Sequence, residues 1–467
     1  MSGTFVVTRF APSPTGELHL GNARAALYNF LLARRHGGRF ILRVEDTDLA
    51  RSSSAHLQAL VNDLRWLGMD WEVGPGLDQP ESDWRQSARG PVYDPQYQHL
   101  IDSGRAYPCY CTALELDLSR RAQLAAGRPP RYAGTCRNLS GAERVERLQR
   151  GLKPSLRFAV PAGRLIQFDD LVHGSQSTKS DDIGDFIIRR EDGSSAFFFC
   201  NAVDDATMGV TDLLRGDDHL SNTPRQLLLL EALGMKAPRY GHVSLITGAD
   251  GAPLSKRHGA STLRELREQG YSATTINNLL FRLGHSTPNH ALLSLGQMAQ
   301  HFDSAHLQRA SAHLDEAQLR HWQGEWLRSL SPEAAREWLR SWLPLRLDDA
   351  QLQGFQTAVL PNVLLADDVR IWAGVFYGDN LTVDAEAQAA IAAAGPTFFA
   401  AAAAAVPDSG ADIAALRAAT GCKGAAFFMP LRAALTGRLH GPEVAPLLRA
   451  LPVTQVRKRL AAHAGGA

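Results

Sequence analysis

Hydrophobic positions change their spacing along the chain, and the changes divide it. Phe5-Val6-Val7 is a short apolar run with β-branched residues, which predicts a buried strand. A turn-rich stretch, Ala11-Pro12-Ser13-Pro14-Thr15-Gly16, follows it. Residues 23–35 then place Ala26, Leu27, Phe30 and Leu31 at helical spacing, and Gly37-Gly38 supplies a stop. Phe40-Ile41-Leu42-Arg43-Val44 predicts the next strand, ending in Glu45-Asp46-Thr47-Asp48. Strand, loop, helix, strand is the start of a parallel α/β sheet.

Residues 105–195 differ, with a cysteine cluster, recurring arginines and β-type runs such as Leu165-Ile166-Gln167-Phe168, and they read as an insertion. Strand-like apolar runs return over 197–220 and 240–246. Beyond about residue 262 the spacing is helical almost to the end, and the Ala-rich stretch 398–406 predicts a propensity-driven helix in a bundle. No repeat of fixed period interrupts this order.

Length and composition add bounds. A chain of 467 residues suggests roughly three domains. Its 45% hydrophobic and 21% charged residues are ordinary for a folded protein, and a net charge of +1 advertises no polyanion partner. Five cysteines, Cys109, Cys111, Cys136, Cys200 and Cys422, are too few and too unevenly placed for a disulfide framework. No apolar run of about 18 residues and no targeting segment is expected, so the chain is read as cytoplasmic, with no membrane partner.

Two loops carry candidate chemistry. The first leads from the opening strand into the helix, where free backbone N–H groups and the helix dipole favour a phosphate. His19 sits there as a donor, and Gly21 allows close approach to the backbone. The second, Pro253-Leu254-Ser255-Lys256-Arg257-His258-Gly259, puts two adjacent cations and a glycine after a strand. Lys256 is a compact charge suited to a developing phosphate anion. Alone, each is an ordinary surface loop.

Together they are more specific. Arg9-Phe10-Ala11-Pro12-Ser13-Pro14-Thr15-Gly16-Glu17-Leu18-His19-Leu20-Gly21-Asn22-Ala23-Arg24 resembles the first class I motif of bacterial-type glutamyl-tRNA synthetases. Residues 254–259 resemble the second. Arg215-Gly216-Asp217-Asp218-His219 and Asn222-Thr223-Pro224-Arg225-Gln226 match the family between them, in order. Phe428-Met429-Pro430-Leu431-Arg432 and Leu435-Thr436-Gly437-Arg438 match it near the C-terminus.

The resemblance implies a Rossmann-type class I catalytic domain in two halves, 1–104 and 197–262, around an acceptor-end-binding insertion, 105–196. A helical stem-contact domain, 263–330, and an all-helical anticodon-binding region, 331–467, would follow. It implies glutamate, ATP with Mg²⁺, and tRNA-Glu as substrates, with a monomer as the working unit. His19 and Lys256 would be catalytic, and His19, Gly21, Asp218, Ser255, Lys256 and Arg257 would bind ATP. Arg9, Ser13, Glu45, Phe197, Asn201 and Arg215 would line the glutamate pocket, with Glu45 on the ammonium and Arg9 and Arg215 on the carboxylates. Two positions depart from the family: Phe197 stands where a tyrosine is usual, and Pro253 where a lysine is common. The missing Phe197 hydroxyl would cost about 1.5–3 kcal/mol if it met a charged group.

Cys109-Tyr110-Cys111 and the more distant Cys136 can make three corners of a tetrahedral zinc site. Relatives complete such a site with a histidine two residues after the third cysteine or a tyrosine four before it; here those positions hold Asn138 and Tyr132, so Tyr132 is the expected fourth ligand. Nine arginines between Arg120 and Arg157, and six Lys or Arg against Glu443 over residues 430–467, offer local basic character. The resemblance places the anticodon arm on the helical C-terminal part, where bases are read. Charging of tRNA-Gln as well, a glutamylating tRNA-modification enzyme, and an impaired RNA-binding paralogue are the rival readings. The long helical region after about residue 330 argues against the modification enzyme.

Overall fold

The structure, a computed structural model, describes residues 5–48, 51–248, 251, 262–378 and 380–465. Pro253, Ser255, Lys256 and Arg257 lie outside the described residues. The chain forms two compact units, Met1–Glu265 with Ala273–Leu319, and Leu266–Ser272 with Arg320–Ala467.

In the first unit, strands Val7–Phe10 and Arg39–Leu42 pair in parallel, with Val7 opposite Arg39 and Phe10 opposite Leu42. Helix Leu20–Arg35 makes the crossover. A second parallel pair, Asp212–Gly216 with Arg239–Val243, is bridged by helix Thr223–Ala232. The pairs meet where the Thr211 N–H donates to the Val7 carbonyl at 2.9 Å and the Val7 N–H donates to Thr211 Oγ1 at 2.9 Å. Val7, Ile41, Val210, Leu213 and Tyr240 form a common core there. Asn29 serves the free edge of the second pair: its Nδ2 donates to the Leu214 carbonyl at 2.6 Å and its Oδ1 accepts the Leu214 N–H at 3.0 Å. A carboxamide thus satisfies a buried strand edge that would otherwise be orphaned.

The first strand sits later than its apolar run. Phe5 is exposed, while Thr8 and Arg9 lie buried within Val7–Phe10. Both polar side chains are satisfied internally, Thr8 by the Asn29 carbonyl at 2.7 Å and Arg9 by Asp205 at 3.0 Å. The strand-like reading of 197–220 is corrected more sharply. Phe197–Thr207 is a helix, followed by the strand Asp212–Gly216 and a short 3-10 turn, Asp217–Asn222. Aromatic and β-branched residues favour strands only weakly, and tertiary burial decides. Here Phe199 to Asp205 are buried without a break, which removed the amphipathic signal. The helical tail is also interrupted, by Ala312–His313 pairing in parallel with Ile246–Thr247.

The insertion carries a three-stranded antiparallel sheet, with Ser155–Phe158 between Ala106–Cys109 and Phe186–Arg189. A hairpin, Leu165–Asp170 with Gly174–Lys179, lies beside it in sequence. Tyr97, Phe158, Ile188, Phe199 and Leu228 share one core, with the Tyr97 and Phe199 rings stacked at 4.0 Å. Helix Phe197–Thr207 is therefore wedged between insertion and catalytic sheet, and its inward residues are fixed from both sides.

The second unit is helical, with Phe355, Phe376, Phe399, Phe427 and Leu431 fully buried at its centre. One helix, Ala385–Ala404, is long and apolar enough to cross a membrane by length and average composition, although Glu386, Gln388 and Thr397 interrupt its apolar run. Its geometry is different. Gly395 takes φ +74° and Pro396 follows, so the segment is two helices meeting at a kink. Each half is about 10 residues, roughly 15 Å, against about 30 Å of bilayer core. Ile391, Phe398, Phe399 and Ala402 are buried in the unit's core.

Candidate active site

A cavity of about 340 Å³ opens where the first strand and helix Leu20–Arg35 meet the Asp212–Gly216 strand. Arg9, Ser13, Glu45, Phe197, Asn201 and Arg215 all line it, so the six expected pocket residues come together from four separate segments. Phe197, Asn201 and Asp205 are spaced by four on one helix and share a face.

Below the cavity lies a buried charge network. Arg9 donates from Nε to Asp205 Oδ1 at 3.0 Å and from Nη2 to Asn201 Oδ1 at 3.0 Å. Arg43 donates to Asp205 Oδ1 at 2.6 Å and to Glu45 Oε1 at 3.2 Å. Arg89 donates to Asp204 Oδ1 at 2.6 Å, and Gln86 and Tyr93 serve Asp204 Oδ2 at 2.8 Å each. Asn201 also donates to Glu45, and accepts from Gln226 at 3.1 Å. Three arginines thus face three carboxylates. Burial opposes the charge on Asp205, but Arg43 and Arg9 outweigh it and hold its pKa below the ordinary value. Burial raises Glu45 in spite of Arg43 and Arg9, leaving a carboxylate that gains from an incoming cation.

Arg215 is different. It is buried and lines the same cavity, yet none of the ion pairs among the described residues includes it. Nε donates to His242 Nε2 at 3.0 Å and Nη2 to Thr223 Oγ1 at 2.8 Å, while Nη1 has no hydrogen-bond partner. Burial lowers its pKa to about 10, so it remains a cation at neutral pH. The paired charges cancel, and the cavity keeps one uncompensated positive charge. Nearby His219 adds none, because burial pushes it down to about 4 despite Asp218.

His19 is the N-cap of helix Leu20–Arg35, whose first turn carries no acid. Asn22 and Ala25 of this helix line the cavity, so the dipole's positive end lies beside it. A Cβ at Gly21 would come within 3.1 Å of the His19 ring, so a larger residue there would push on that ring. Thr262, the first described residue after 252–261, bridges to His19, and the Leu263 N–H donates to the Leu18 carbonyl at 3.0 Å. Asp218 is exposed and stands outside the cavity lining, 3.7 Å from His219 Nε2.

In the insertion, the Cys109, Cys111 and Cys136 sulfurs all lie within 4.8 Å of one another, a cluster that could hold a metal ion. The Tyr132 hydroxyl is 3.4 Å from Cys109 Sγ and 3.5 Å from Cys111 Sγ, and accepts the Cys136 N–H at 2.8 Å. Burial would raise the Cys109 pKa, but Tyr132 and Arg157 bring it below the ordinary thiol value. Next to this cluster is a larger cavity of about 820 Å³, lined by Arg120, Arg131, Arg147, Arg157, Arg190 and Arg225 among others. Phe197 lines both cavities and stands between them.

Residues 5–321 match the family described as tRNA synthetases class I (E and Q), catalytic domain, and residues 333–464 match an anticodon binding domain. The chain belongs to the glutamyl branch of the class I tRNA synthetases. It is 50% identical to glutamate–tRNA ligase 2 of Alkalilimnicola ehrlichii, over 98% of each chain. It is 48% identical to glutamate–tRNA ligase 1 of Halorhodospira halophila, over 98% of this chain and 97% of that one. A crystal structure of a glutamate tRNA ligase from Elizabethkingia meningosepticum in complex with its amino acid superposes with a TM-score of 0.88, at 28% identity and 99% coverage of both chains.

Sequence reasoning missed several residues on which this synthetase's cavity rests: Arg43, Asp204, Asp205, Gln226, His242 and Asp170. One signal was present, an arginine inside the apolar run Phe40-Ile41-Leu42-Arg43-Val44. A charge in a buried strand demands a partner, and Asp204-Asp205 supplies it. The basic C-terminal stretch of the synthetase is also partly structural. Arg432, Arg457 and Arg459 donate to main-chain carbonyls within their own unit, leaving Arg438, Arg449 and Lys458 exposed.

Proposed function

We propose that the chain activates L-glutamate with ATP and transfers the glutamyl group to the 3′-terminal adenosine of tRNA-Glu. The observation that carries this reading is the cavity's charge pattern: a buried carboxylate, Glu45, and one uncompensated guanidinium, Arg215, in a space of about 340 Å³. A small zwitterion with an extra carboxylate complements that pattern. Glu45 receives the ammonium, and Arg215 and the remaining donor of Arg9 receive carboxylates.

In the first step the glutamate α-carboxylate attacks the α-phosphorus of ATP and pyrophosphate leaves. Charge builds on phosphorus, so catalysis is mainly positioning and electrostatic stabilisation. His19 and the helix N-terminus it caps serve the phosphates from one side, together with Gly21. Ser255, Lys256 and Arg257 are assigned to the same phosphates by their likeness to the family's second motif, with Asp218 on the nucleotide and Mg²⁺ entering with ATP. Chain connectivity supports the pairing, since Lys256 is six residues from Thr262, which bridges to His19. In the second step the 2′-hydroxyl of the terminal adenosine attacks the mixed anhydride and AMP leaves. The Arg-lined cavity beyond Phe197 suits the incoming tRNA 3′ end.

Pyrophosphate exchange with glutamate or glutamine, each with and without tRNA, tests this. Exchange with glutamate is expected, and none under any condition would sink the reading. Charging purified tRNA-Glu and tRNA-Gln side by side tests the choice of tRNA. Lys256→Ala should reduce adenylate formation about a hundredfold or more while leaving tRNA affinity nearly unchanged. Equal loss of both would make Lys256 structural.

We also assign zinc to the thiol cluster. A tetrahedral ion with bonds of about 2.3 Å holds its sulfurs roughly 3.8 Å apart, and the Cys111 and Cys136 sulfurs are 3.6 Å apart. Tyr132 supplies the fourth corner, while Asn138 is exposed. One zinc per chain is expected by elemental analysis, falling on Cys136→Ser. A metal-free, fully folded chain would refute the site. The acting species is taken as a cytoplasmic monomer: one chain builds both cavities, and Cys200 and Cys422, outside the zinc cluster, are unpaired thiols that suit a reducing compartment.

A further inference from the structure

Behind Arg215 stands a second group of buried polar residues that does not line the cavity. His242 Nδ1 lies 2.5 Å from Asp170 Oδ2, and both side chains are fully buried. Asp170 Oδ1 in turn accepts the N–H groups of Val172 at 2.9 Å, His173 at 2.8 Å and His242 at 3.2 Å. Burial would raise the Asp170 pKa, but His242 and these N–H groups outweigh it and hold it at about 2. An ionised Asp170 can only accept, so it fixes the proton of His242 on Nδ1. That leaves Nε2 as an acceptor, and two donors use it: Arg215 Nε–H at 3.0 Å and the Thr223 hydroxyl at 3.1 Å. Thr223 Oγ1 itself accepts from Arg215 Nη2 at 2.8 Å. The hydrogen-bond directions are then determined all the way from Asp170 to Arg215.

We propose that His242, locked by Asp170 and seconded by Thr223, is the positioning residue that presents Arg215 to the carboxylate of an amino-acid substrate's side chain. This rests on the proposed glutamate-activating function and adds the device that aims its cation. A guanidinium has five N–H groups. His242 and Thr223 take the Nε–H and one from Nη2, and they leave Nη1 and the second Nη2 hydrogen. Those remaining hydrogens have the spacing of a bidentate carboxylate contact. The Tyr240 ring, 5.0 Å from the guanidinium carbon, covers one face and stacks on the His242 ring, so rotation of the fork is restricted. An alternative anchor, a carboxylate in direct contact with Arg215, would neutralise the charge the substrate needs. A neutral histidine orients the cation without cancelling it.

The test is glutamate and ATP titration in tRNA-dependent pyrophosphate exchange, with thermal melting as a control for folding. His242→Phe keeps the ring and removes the acceptor, and KM for glutamate should rise about 10- to 100-fold, with KM for ATP within twofold. His242→Gln places a carboxamide oxygen near the Nε2 position and should recover most of that loss. Asp170→Asn, which frees the tautomer, should fall between them. The inference is overturned if His242→Phe leaves KM for glutamate within twofold, if both KM values rise together, or if His242→Gln is as impaired as His242→Phe. Should His242→Phe fail to fold, Asp170→Asn carries the test on the same split between the two KM values. Absence of glutamate exchange in the unmodified enzyme would instead refute the functional reading. Normal exchange that is unmoved by these substitutions would refute only the role of His242.

Discussion

Replacing Arg215 by leucine is expected to lower kcat/KM for glutamate about a thousandfold in tRNA-dependent pyrophosphate exchange, with little effect on thermal stability. The magnitude follows from charge. Two unit charges about 4 Å apart interact by about 4 kcal/mol at the effective dielectric of a protein site, and about 1.4 kcal/mol is a factor of ten. Arg215 is a buried cation of this site with no direct ion-pair partner among the described residues, so removing it breaks no direct ion pair, and Thr223 remains as a donor to His242 Nε2. Buried arginines that stabilise a fold are matched by acids, and unmatched ones cost stability. Leucine should therefore leave the melting temperature unchanged or slightly higher, while preference for glutamate over glutamine collapses. Steady-state exchange with both amino acids, beside a melting curve, checks it. Retained preference for glutamate would show that Arg9 alone supplies the cationic contact.

The same distinction explains what could be read from the chain. The first loop and the start of the α/β order were legible because they rest on local signals, turn residues and apolar spacing, whereas the six residues that line the cavity came from the resemblance to the family's motifs and not from any local pattern. Phe197–Thr207 was not, because a helix buried on both sides loses its period, and Phe-Phe-Phe-Cys looks like a strand. Asp204 and Asp205 were equally hidden. Their partners Arg9, Arg43 and Arg89 are over a hundred residues away, and no local pattern reports that kind of pairing. His242 sits in a short strand, in Tyr240-Gly241-His242-Val243, where a lone histidine reads as core. Only the Asp170 contact from the hairpin gives it a direction. The Ala-rich stretch was legible as a bundle helix from Ala propensity, while the break at Gly395-Pro396 just before it shows only in the backbone.

Asp205→Asn should show the opposite profile to Arg215→Leu, with stability lost first. Asp205 receives Arg9 at 3.0 Å and Arg43 at 2.6 Å, and all three side chains are buried. Asparagine keeps the shape but leaves two guanidinium groups short of a counter-charge, a change that costs about 3–5 kcal/mol. For a unit of this size, with an unfolding entropy of about 2.1 cal/mol/K per residue, that corresponds to roughly 5–8 °C in Tm. Activity should fall as well, because Arg9 and Asn201 lose the group that aligns them, but a melting curve registers the defect before substrate is added. The acid limb gives a second reading. Burial opposes ionisation of Asp205, yet Arg43 and Arg9 hold its folded-state pKa below the unfolded value. Its contribution is therefore fully present above about pH 4, the unfolded carboxylate range, and is lost as pH falls through the lower folded value. The wild-type Tm should drop over that interval and the variant should be flatter across it. Arg43→Met combined with Asp205→Leu should be less destabilising than the two single changes summed, since each single change strands a charge that the pair removes together. A Tm for Asp205→Asn within a degree of wild type would refute the network as a stabilising element. Arg9 and Arg43 would then have to be counted, with Arg215, among the charges available to a substrate.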